Sequence, residues 1–391
     1  MSRPAPSDRP LKVGINLLFM GPRAGGAGRF ARELPGALLE SEPDTEIDVF
    51  VARDAPADLR AEPWAGQVRF TTVPLAVTNR VLQAGQYLAL PALGRARRLD
   101  VLHNAANAGP VITPGMATVV SLHDLIWLHH GAQWDPDERA QRAMRRVVAH
   151  SVRHADRVFA LSRAAAQDLE SGLGIPARRI VVTSPGVRPP EVTPTPERAL
   201  RERLQLGSAR VLLCVAQKRP YKNLERLIRA LAILDPDVVA LLVGPSAPHE
   251  AELRRVVDEV GVGDRVRWSE WVSEAELAGL YGLSEAFVLP SLIEGFGLPV
   301  IEAMAHGLPV ACSNVPVLAE VAGDAALIFD PRDQIAVDGA LRRLLTDAEL
   351  RHALVMRGRA RAANFTWART GEAALRGYRE AIASATARSI R

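Results

Sequence analysis

Short runs rich in Val, Ile, Leu and Ala alternate along this chain with longer stretches whose apolar residues recur at helical spacing. From Leu11 to about Val187 the runs are Leu11–Leu18, Glu46–Ala52, Gln67–Val73, Asp100–His103, Ala117–Leu122, Arg157–Leu161 and Arg179–Val182. A second series begins at Arg210, with Val211–Ala216, Val238–Val243, Arg265–Trp268, Ala286–Leu289, Pro309–Cys312 and Ala326–Phe329. Strand alternating with helix implies a parallel sheet covered on both faces. The pattern therefore predicts one α/β architecture built twice.

Between the two series stands Arg188-Pro189-Pro190-Glu191-Val192-Thr193-Pro194-Thr195-Pro196, whose four prolines suit an extended linker rather than a helix or a central strand. A first domain over residues 1–188, a linker over 189–196 and a second domain over 197–369 are expected on that basis. Beyond Pro331 the pattern is helical, and Phe365 and Trp367 open a last amphipathic segment running through Ala383.

Composition narrows the class. At 48% hydrophobic and 24% charged residues over 391 positions, a collagenous or mostly disordered chain is excluded. No apolar run approaches the ~20 residues of a spanning helix. Met1–Pro10 lacks an apolar signal core, so the cytoplasm is the expected compartment. The formal charge is +4, but 48 basic against 44 acidic residues make a mixed surface without an aromatic-laced basic run, and nucleic acid is not an expected partner. Cys214 and Cys312 lie in strand-like stretches and read as small core residues, not as a disulfide or a metal site. Lysine occurs only at 12, 218 and 222, the other basic residues being arginine, so each lysine position is informative.

Four segments carry candidate chemistry. The glycines of Gly21-Pro22-Arg23-Ala24-Gly25-Gly26-Ala27-Gly28 follow the first strand and precede a helix, where free N–H groups favour anions; a plain tight turn is the competing reading. His123, in Ser121-Leu122-His123-Asp124-Leu125, lies just past a buried strand and is expected to donate to a hydroxyl or phosphate oxygen, with Asp124 orienting its ring. Trp127, His129, His130 and Trp134 follow; most of this cluster is expected to pack, and its spacing fits no familiar metal ligand set. Lys218 and Lys222, in Gln217-Lys218-Arg219-Pro220-Tyr221-Lys222-Asn223-Leu224, stand between a strand end and a helix start, which points to a diphosphate. In Pro290-Ser291-Leu292-Ile293-Glu294-Gly295-Phe296-Gly297-Leu298-Pro299, followed by Glu302, the glycines permit close backbone approach and the two acids can each accept from paired hydroxyls of a ribose or a hexose.

The Glu294-x7-Glu302 motif, in its Glu-Gly-Phe-Gly-Leu-Pro and Glu-Ala-Met-Ala setting, resembles the hallmark of the retaining family-4 glycosyltransferases. Gly25-Gly26-Ala27-Gly28-Arg29-Phe30, His123-Asp124-Leu125, Lys218 to Leu224 and Leu318 to Ala326 carry the resemblance over roughly residues 11–383. It implies the GT-B fold, two facing Rossmann-like α/β domains with parallel sheets, and a final helix of about 370–391 crossing back onto the first domain. It also implies a nucleoside-diphosphate sugar donor of GDP or UDP type in the second domain, with no separate cofactor and no metal. Lys218 and Lys222 would meet the diphosphate with Gly26 nearby, Glu302 the ribose, and Glu294 with the Gly295-Phe296-Gly297-Leu298 backbone the transferred sugar. Trp271 and Val272 would meet the base, and His123 would reach the donor sugar. The first domain would take the acceptor: a glycan, a glycolipid or a small molecule. Two departures stand out: Ala216-Gln217 where the family often has Gly-Arg or Gly-Asn, and Ser184-Pro185-Gly186 where many relatives have Asn-Gly.

With no obvious nucleophile, front-face attack by the acceptor hydroxyl, deprotonated by the departing phosphate, is the expected route to retention, and mannose-type donors are favoured. A nucleotide-sugar epimerase or phosphorylase on the same scaffold, or a catalytically silent nucleotide-sugar-binding partner, are the alternatives; for a phosphorylase, Lys12 in the first strand is a poor pyridoxal anchor. Arg139, Arg142, Arg145, Arg146 and Arg153 on one helix could rest on anionic lipid, which would make the chain peripheral on the inner membrane face; a solvated helix face is the competing reading.

Overall fold

The computed structural model describes residues 9–21, 25–74, 76, 85–126, 138–188 and 192–389. The Trp127, His129, His130 and Trp134 cluster and the linker residues Pro189, Pro190 and Glu191 lie outside them. The described residues divide into two units: those within 9–126, 138–186 and 366–389 form unit 1, and those within 187–365 form unit 2.

Unit 1 carries β1 (Lys12–Asn16), β2 (Glu46–Val51), β3 (Arg69–Thr72), β4 (Val101–Asn104), β5 (Ala117–Leu122), β6 (Arg157–Ala160) and β7 (Ile180–Val182). They form one parallel sheet in the order β3-β2-β1-β4-β5-β6-β7. Unit 2 carries β8 (Arg210–Val215), β9 (Val238–Val243), β10 (Val266–Ser269), β11 (Ala286–Leu289), β12 (Val310–Ser313) and β13 (Leu327–Phe329), ordered β10-β9-β8-β11-β12-β13 and again parallel. Every residue of β5, β9 and β11 is buried, because helices cover both faces of each sheet. The first strand ends at Asn16, two residues before its apolar run does, because Asn16 Oδ1 accepts from the Leu18 N–H and turns the chain. Leu18 then joins a core cluster with Phe50, Leu90, Leu99, Leu102 and Met116.

In each sheet the chain works outward on one side of its first strand and then returns to the other side. The direction changes between β1 and β4 in unit 1 and between β8 and β11 in unit 2. Loops leaving the carboxyl ends of such a pair diverge and leave a crevice for ligand.

The helix Trp367–Ser389 closes unit 1 and lies along the helix Gly26–Ser41. Gly371 permits this approach, since a Cβ there would collide with the Ala37 carbonyl oxygen. Ser41 Oγ donates to the Ala368 carbonyl over 3.1 Å. Tyr378 projects from the same helix into the sheet. There its hydroxyl hydrogen-bonds His103 Nδ1 at 2.7 Å, and His103 Nε2 hydrogen-bonds Ser121 Oγ at 2.8 Å, both in the buried core. Burial lowers the His103 pKa to about 3 and raises that of Tyr378, so this chain of three groups is neutral. Among the described residues, no helix is long and apolar enough to cross a membrane.

Candidate active site

In unit 2, the loop after β8 (Ala216–Asn223) and the loop after β11 (Pro290–Gly297) leave neighbouring strands at the point where the sheet order reverses. They are stitched together by hydrogen bonds to main-chain carbonyls. Asn223, held at φ 56°, donates from Nδ2 to the carbonyls of Pro290 (3.0 Å) and Pro331 (2.9 Å). The Leu292 N–H donates to the Tyr221 carbonyl over 2.8 Å. That stitching sets Lys222 beside Glu294, with Nζ donating to Oε1 over 2.6 Å. The same carboxylate oxygen accepts from Ser291 Oγ at 2.7 Å, and the Ser291 carbonyl accepts in turn from Ser313 Oγ, at the end of β12. Burial pulls the Lys222 pKa down, but the Glu294 charge more than reverses this, so the net shift is upward and the ammonium stays charged.

Glu294 is followed by a turn that only glycine fits. Gly297 has φ 91°, and a Cβ on it would collide with the Leu318 side chain. It caps the helix Leu298–Ala305, in whose first turn Pro299 has no N–H and the Val300 N–H donates to the Gly297 carbonyl over 2.9 Å, so that the Leu298 N–H is left without a helical partner. The turn is held from below by Phe296, which is buried and meets the Phe365 ring edge-on at 5.8 Å. Glu302 lies one helical turn further on. It is only 6% exposed, and its Oε2 accepts from the Tyr281 hydroxyl at 2.9 Å. Tyr281 is fixed by stacking on His306 at 4.8 Å. Trp271, 54% exposed, and the half-buried Val272 occupy the short segment between β10 and the helix Glu274–Leu283.

Lys218 departs from the expectation that it faces a diphosphate. Its side chain is fully buried, and its Nζ donates to the Gly244 carbonyl and, over 3.1 Å, to the Ser269 carbonyl. The Glu250 carboxylate stands 3.9 Å away. The reason is positional: Lys218 leaves β8 on the side of β9 and β10, so the carbonyls ending those strands reach its ammonium first.

In unit 1, Gly26 begins the helix Gly26–Ser41 and is exposed; Gly25 before it supplies no side-chain cap. His123 follows β5 and is buried. Its Nε2 is 2.9 Å from the Ala105 carbonyl, and the edge of Phe30 meets its ring at 5.4 Å. The ring is oriented by these groups and not by Asp124, whose Oδ1 accepts from the Ile126 N–H at 3.1 Å. A carbonyl can only accept, so Nε2 carries the proton; burial lowers the pKa and keeps the ring neutral, and Nδ1 is left as a buried lone pair without a partner. In this tautomer the donor expected from the sequence is held by the Ala105 carbonyl, and Nδ1 is left able to accept. Among the described residues, no group of three or more His, Cys, Asp or Glu side chains could hold a metal ion.

Two family profiles match this chain, "Glycosyltransferase Family 4" over residues 24–190 and "Glycosyl transferases group 1" over residues 197–361. The chain belongs to glycosyltransferase family 4. Its two parallel Rossmann-like sheets are those of the GT-B fold. It is 30% identical over 255 residues to the O-antigen chain mannosyltransferase B of Escherichia coli, covering 64% of this chain and 66% of that one. It is 29% identical over 391 residues to a D-inositol 3-phosphate glycosyltransferase of Thermobispora bispora, covering 92% and 90%. The chain thus spans just under two thirds of the first relative and nearly all of the second. A sucrose-phosphate synthase from Thermosynechococcus elongatus superposes with a TM-score of 0.75 at 24% identity, over 94% of this chain and 98% of that one, and shows the shared fold.

Within this family-4 glycosyltransferase, the structure brings Lys222 and Glu294 into contact and sets Glu302 on the helix that their loop begins. Lys218 is turned away from them. Sequence reasoning missed Ser291 and Tyr281, which hold the two acids, and Ala105, which sets the His123 tautomer. Ser291 had a local signal, standing three residues before Glu294 in the same motif. Tyr281 had none, because it reaches Glu302 across β11 and the loop that follows it.

Proposed function

We propose that the chain transfers a hexose, with mannose favoured, from a nucleoside-diphosphate sugar to a hydroxyl of a glycan, a glycolipid or a small-molecule acceptor, with retention. The observation that carries this reading is the Lys222–Glu294 pair at the β8/β11 reversal, beside the Leu298 N–H that opens the helix Leu298–Ala305. Those cationic and N–H donors fit a diphosphate leaving group, and Glu294, with the backbone of Gly295, Phe296, Gly297 and Leu298, fits the hydroxyls of the sugar. Glu302 takes the ribose, Trp271 and Val272 the base. In unit 1, the Gly26 N–H at a helix start suits a phosphate and His123 Nδ1 suits a sugar hydroxyl. The mannose preference is supported by the name of the Escherichia coli relative.

The chemistry follows from where charge develops. As the bond between the anomeric carbon and the phosphate oxygen breaks, negative charge grows on the nucleoside diphosphate and positive charge on the sugar ring. Lys222 and the helix start stabilise the former. The acceptor oxygen attacks on the face the phosphate is leaving, its proton passes to a departing phosphate oxygen, and the configuration is kept. The acceptor binds to unit 1 in this reading. There the exposed Arg146 and Arg153 of the helix Glu138–His154, with the exposed Met144 and Val147, suit contact with an anionic lipid surface.

The test is thermal stabilisation by a panel of nucleoside diphosphates and their sugars, followed by transfer assays in which the product's anomeric configuration is read by NMR. A ligand at about 100 times its Kd adds roughly 2.7 kcal/mol to stability. A chain stabilised by none of them, or one giving an inverted product, overturns the reading.

A further inference from the structure

Three strand ends converge on one ammonium in unit 2. Lys218 follows β8, and its Nζ donates to Gly244, just past β9, and to Ser269, the last residue of β10. The Ser269 carbonyl also accepts from the Gly244 N–H at 3.0 Å, and the Lys218 N–H donates to the Pro245 carbonyl at 3.2 Å. Gly244 lies so close to the end of β8 that a Cβ on it would collide with the Ala216 carbonyl oxygen. Glu250, which faces the ammonium at 3.9 Å, is itself held by Ser246 Oγ at 2.6 Å and by Arg254, whose guanidinium covers the Trp268 ring. With two of its three donors given to main-chain carbonyls, the Glu250 carboxylate facing it and no exposed surface, this ammonium is already compensated by the protein and does not face a diphosphate.

What it can do is fix the segment that starts at Ser269. That segment is pinned at its far end as well: Ser273 caps the helix Glu274–Leu283 in a reciprocal capping box with Glu276, and Arg203 pairs with Glu276. Between the two anchors lie Glu270, the exposed Trp271 and Val272. We propose that Lys218 is a positioning residue for the base-binding segment Trp271-Val272, and that of the two lysines in its loop only Lys222 meets the donor's diphosphate. The proposal rests on the donor site argued above. It separates the recognition of base and of diphosphate within one eight-residue loop, Ala216–Asn223.

The experiment measures the affinity of the whole chain for whichever of GDP and UDP stabilises it more, and for the corresponding nucleoside, in the wild type, Lys218→Met and Lys222→Met. Loss of charge-assisted hydrogen bonds predicts that Lys218→Met weakens nucleoside and diphosphate by one common factor of roughly tenfold, leaving their ratio at the wild-type value. Lys222→Met leaves the nucleoside affinity unchanged and collapses that ratio. In a donor-hydrolysis assay, Lys218→Met raises KM with little change in kcat. The proposal is overturned if Lys218→Met spares the nucleoside and lowers the ratio, or if it changes neither affinity. Should Lys218→Met fail to fold, acylation of wild-type lysines read by mass spectrometry decides the matter. Lys218 stays unmodified with or without diphosphate, whereas acylation in the free enzyme that the diphosphate prevents overturns the proposal. A wild type that binds neither GDP nor UDP sinks the donor-site reading itself and with it the role of Lys218 there.

Discussion

Lys222 Nζ donates to Glu294 Oε1 over 2.6 Å, so in the free site the cation and the acid proposed for the diphosphate and the sugar satisfy one another. Donor binding has to divide this pair's hydrogen bonds between two parts of one ligand. Because each charge is largely buried, removing one leaves the other poorly compensated. Lys222→Met and Glu294→Gln are each expected to lower kcat/KM for the donor by roughly 100-fold. The double variant should lose much less than the product of the two, since the effects of residues in contact do not add. Steady-state kinetics of the four proteins measure this; full additivity would show that the pair does not work as a unit.

Glu302 is aimed by Tyr281. Tyr281→Phe removes one hydrogen bond to the Glu302 carboxylate and should weaken nucleoside-diphosphate binding by roughly tenfold or more, the net worth of a hydrogen bond to a charged group being about 1.5–3 kcal/mol. Glu302→Ala should abolish thermal stabilisation by the diphosphate altogether. An undiminished shift in Glu302→Ala would remove the ribose assignment.

Gly297 pays for its turn with a backbone that side chains disfavour. At φ 91°, and with Leu318 where a Cβ would go, Gly297→Ala is expected to cost about 1–3 kcal/mol and to displace the loop carrying Glu294. Urea unfolding gives the cost. Gly282→Ala is a control, because a Cβ there meets nothing within 4 Å and its backbone φ is ordinary.

Two buried histidines make stability depend on pH. The pKa of His103 falls to about 3 and that of His123 is also lowered, in both cases mainly by burial, from an ordinary value of 6.5. Below 6.5 the unfolded chain takes up protons that the folded chain refuses, so the stability present above pH 6.5 drains away as the pH falls. For His103 the loss continues until about pH 3. Between pH 6.5 and 5, above most carboxylate titrations, each histidine contributes a slope of up to about 1.4 kcal/mol per pH unit. Denaturation midpoints of the wild type and of His103→Gln over this window check it; equal slopes would mean that His103 charges readily in the folded state.

The helix Glu138–His154 provides the test of membrane contact. Arg146→Glu with Arg153→Glu should weaken sedimentation with vesicles containing anionic lipid several-fold and abolish its salt sensitivity, roughly 1 kcal/mol being at stake per basic group. Wild-type protein indifferent to anionic lipid would identify that face as merely solvated.

The strands were legible because their signal is local. Ala117–Leu122, Val238–Val243 and Ala286–Leu289 begin and end where their largely apolar runs do, since burial on both faces admits polar residues only where they are hydrogen-bonded, as Thr118 and Ser121 are. Lys222 and Glu294 were legible as candidates because each stands in a distinctive local string. The fate of Lys218 was not: the carbonyls that capture it lie 26 and 51 residues away and have no side-chain signature. The His123 tautomer was hidden for the same reason, being set by the main chain of Ala105 while the adjacent Asp124 offered a more obvious partner. Nor could the sequence reveal the Tyr378–His103–Ser121 chain, whose members come from three distant elements.

That unit 1 takes its last helix from residues 367–389 has a consequence for biosynthesis. A ribosome releases residues 187–365 before it releases the helix that covers Phe30 and Phe159, so unit 2 can mature while the earlier unit still waits with an open seam. A released chain truncated just before Trp367 should therefore be protease-resistant over residues 187–365 and sensitive in its earlier part, and the full chain should need chaperones until residues 367–389 are free.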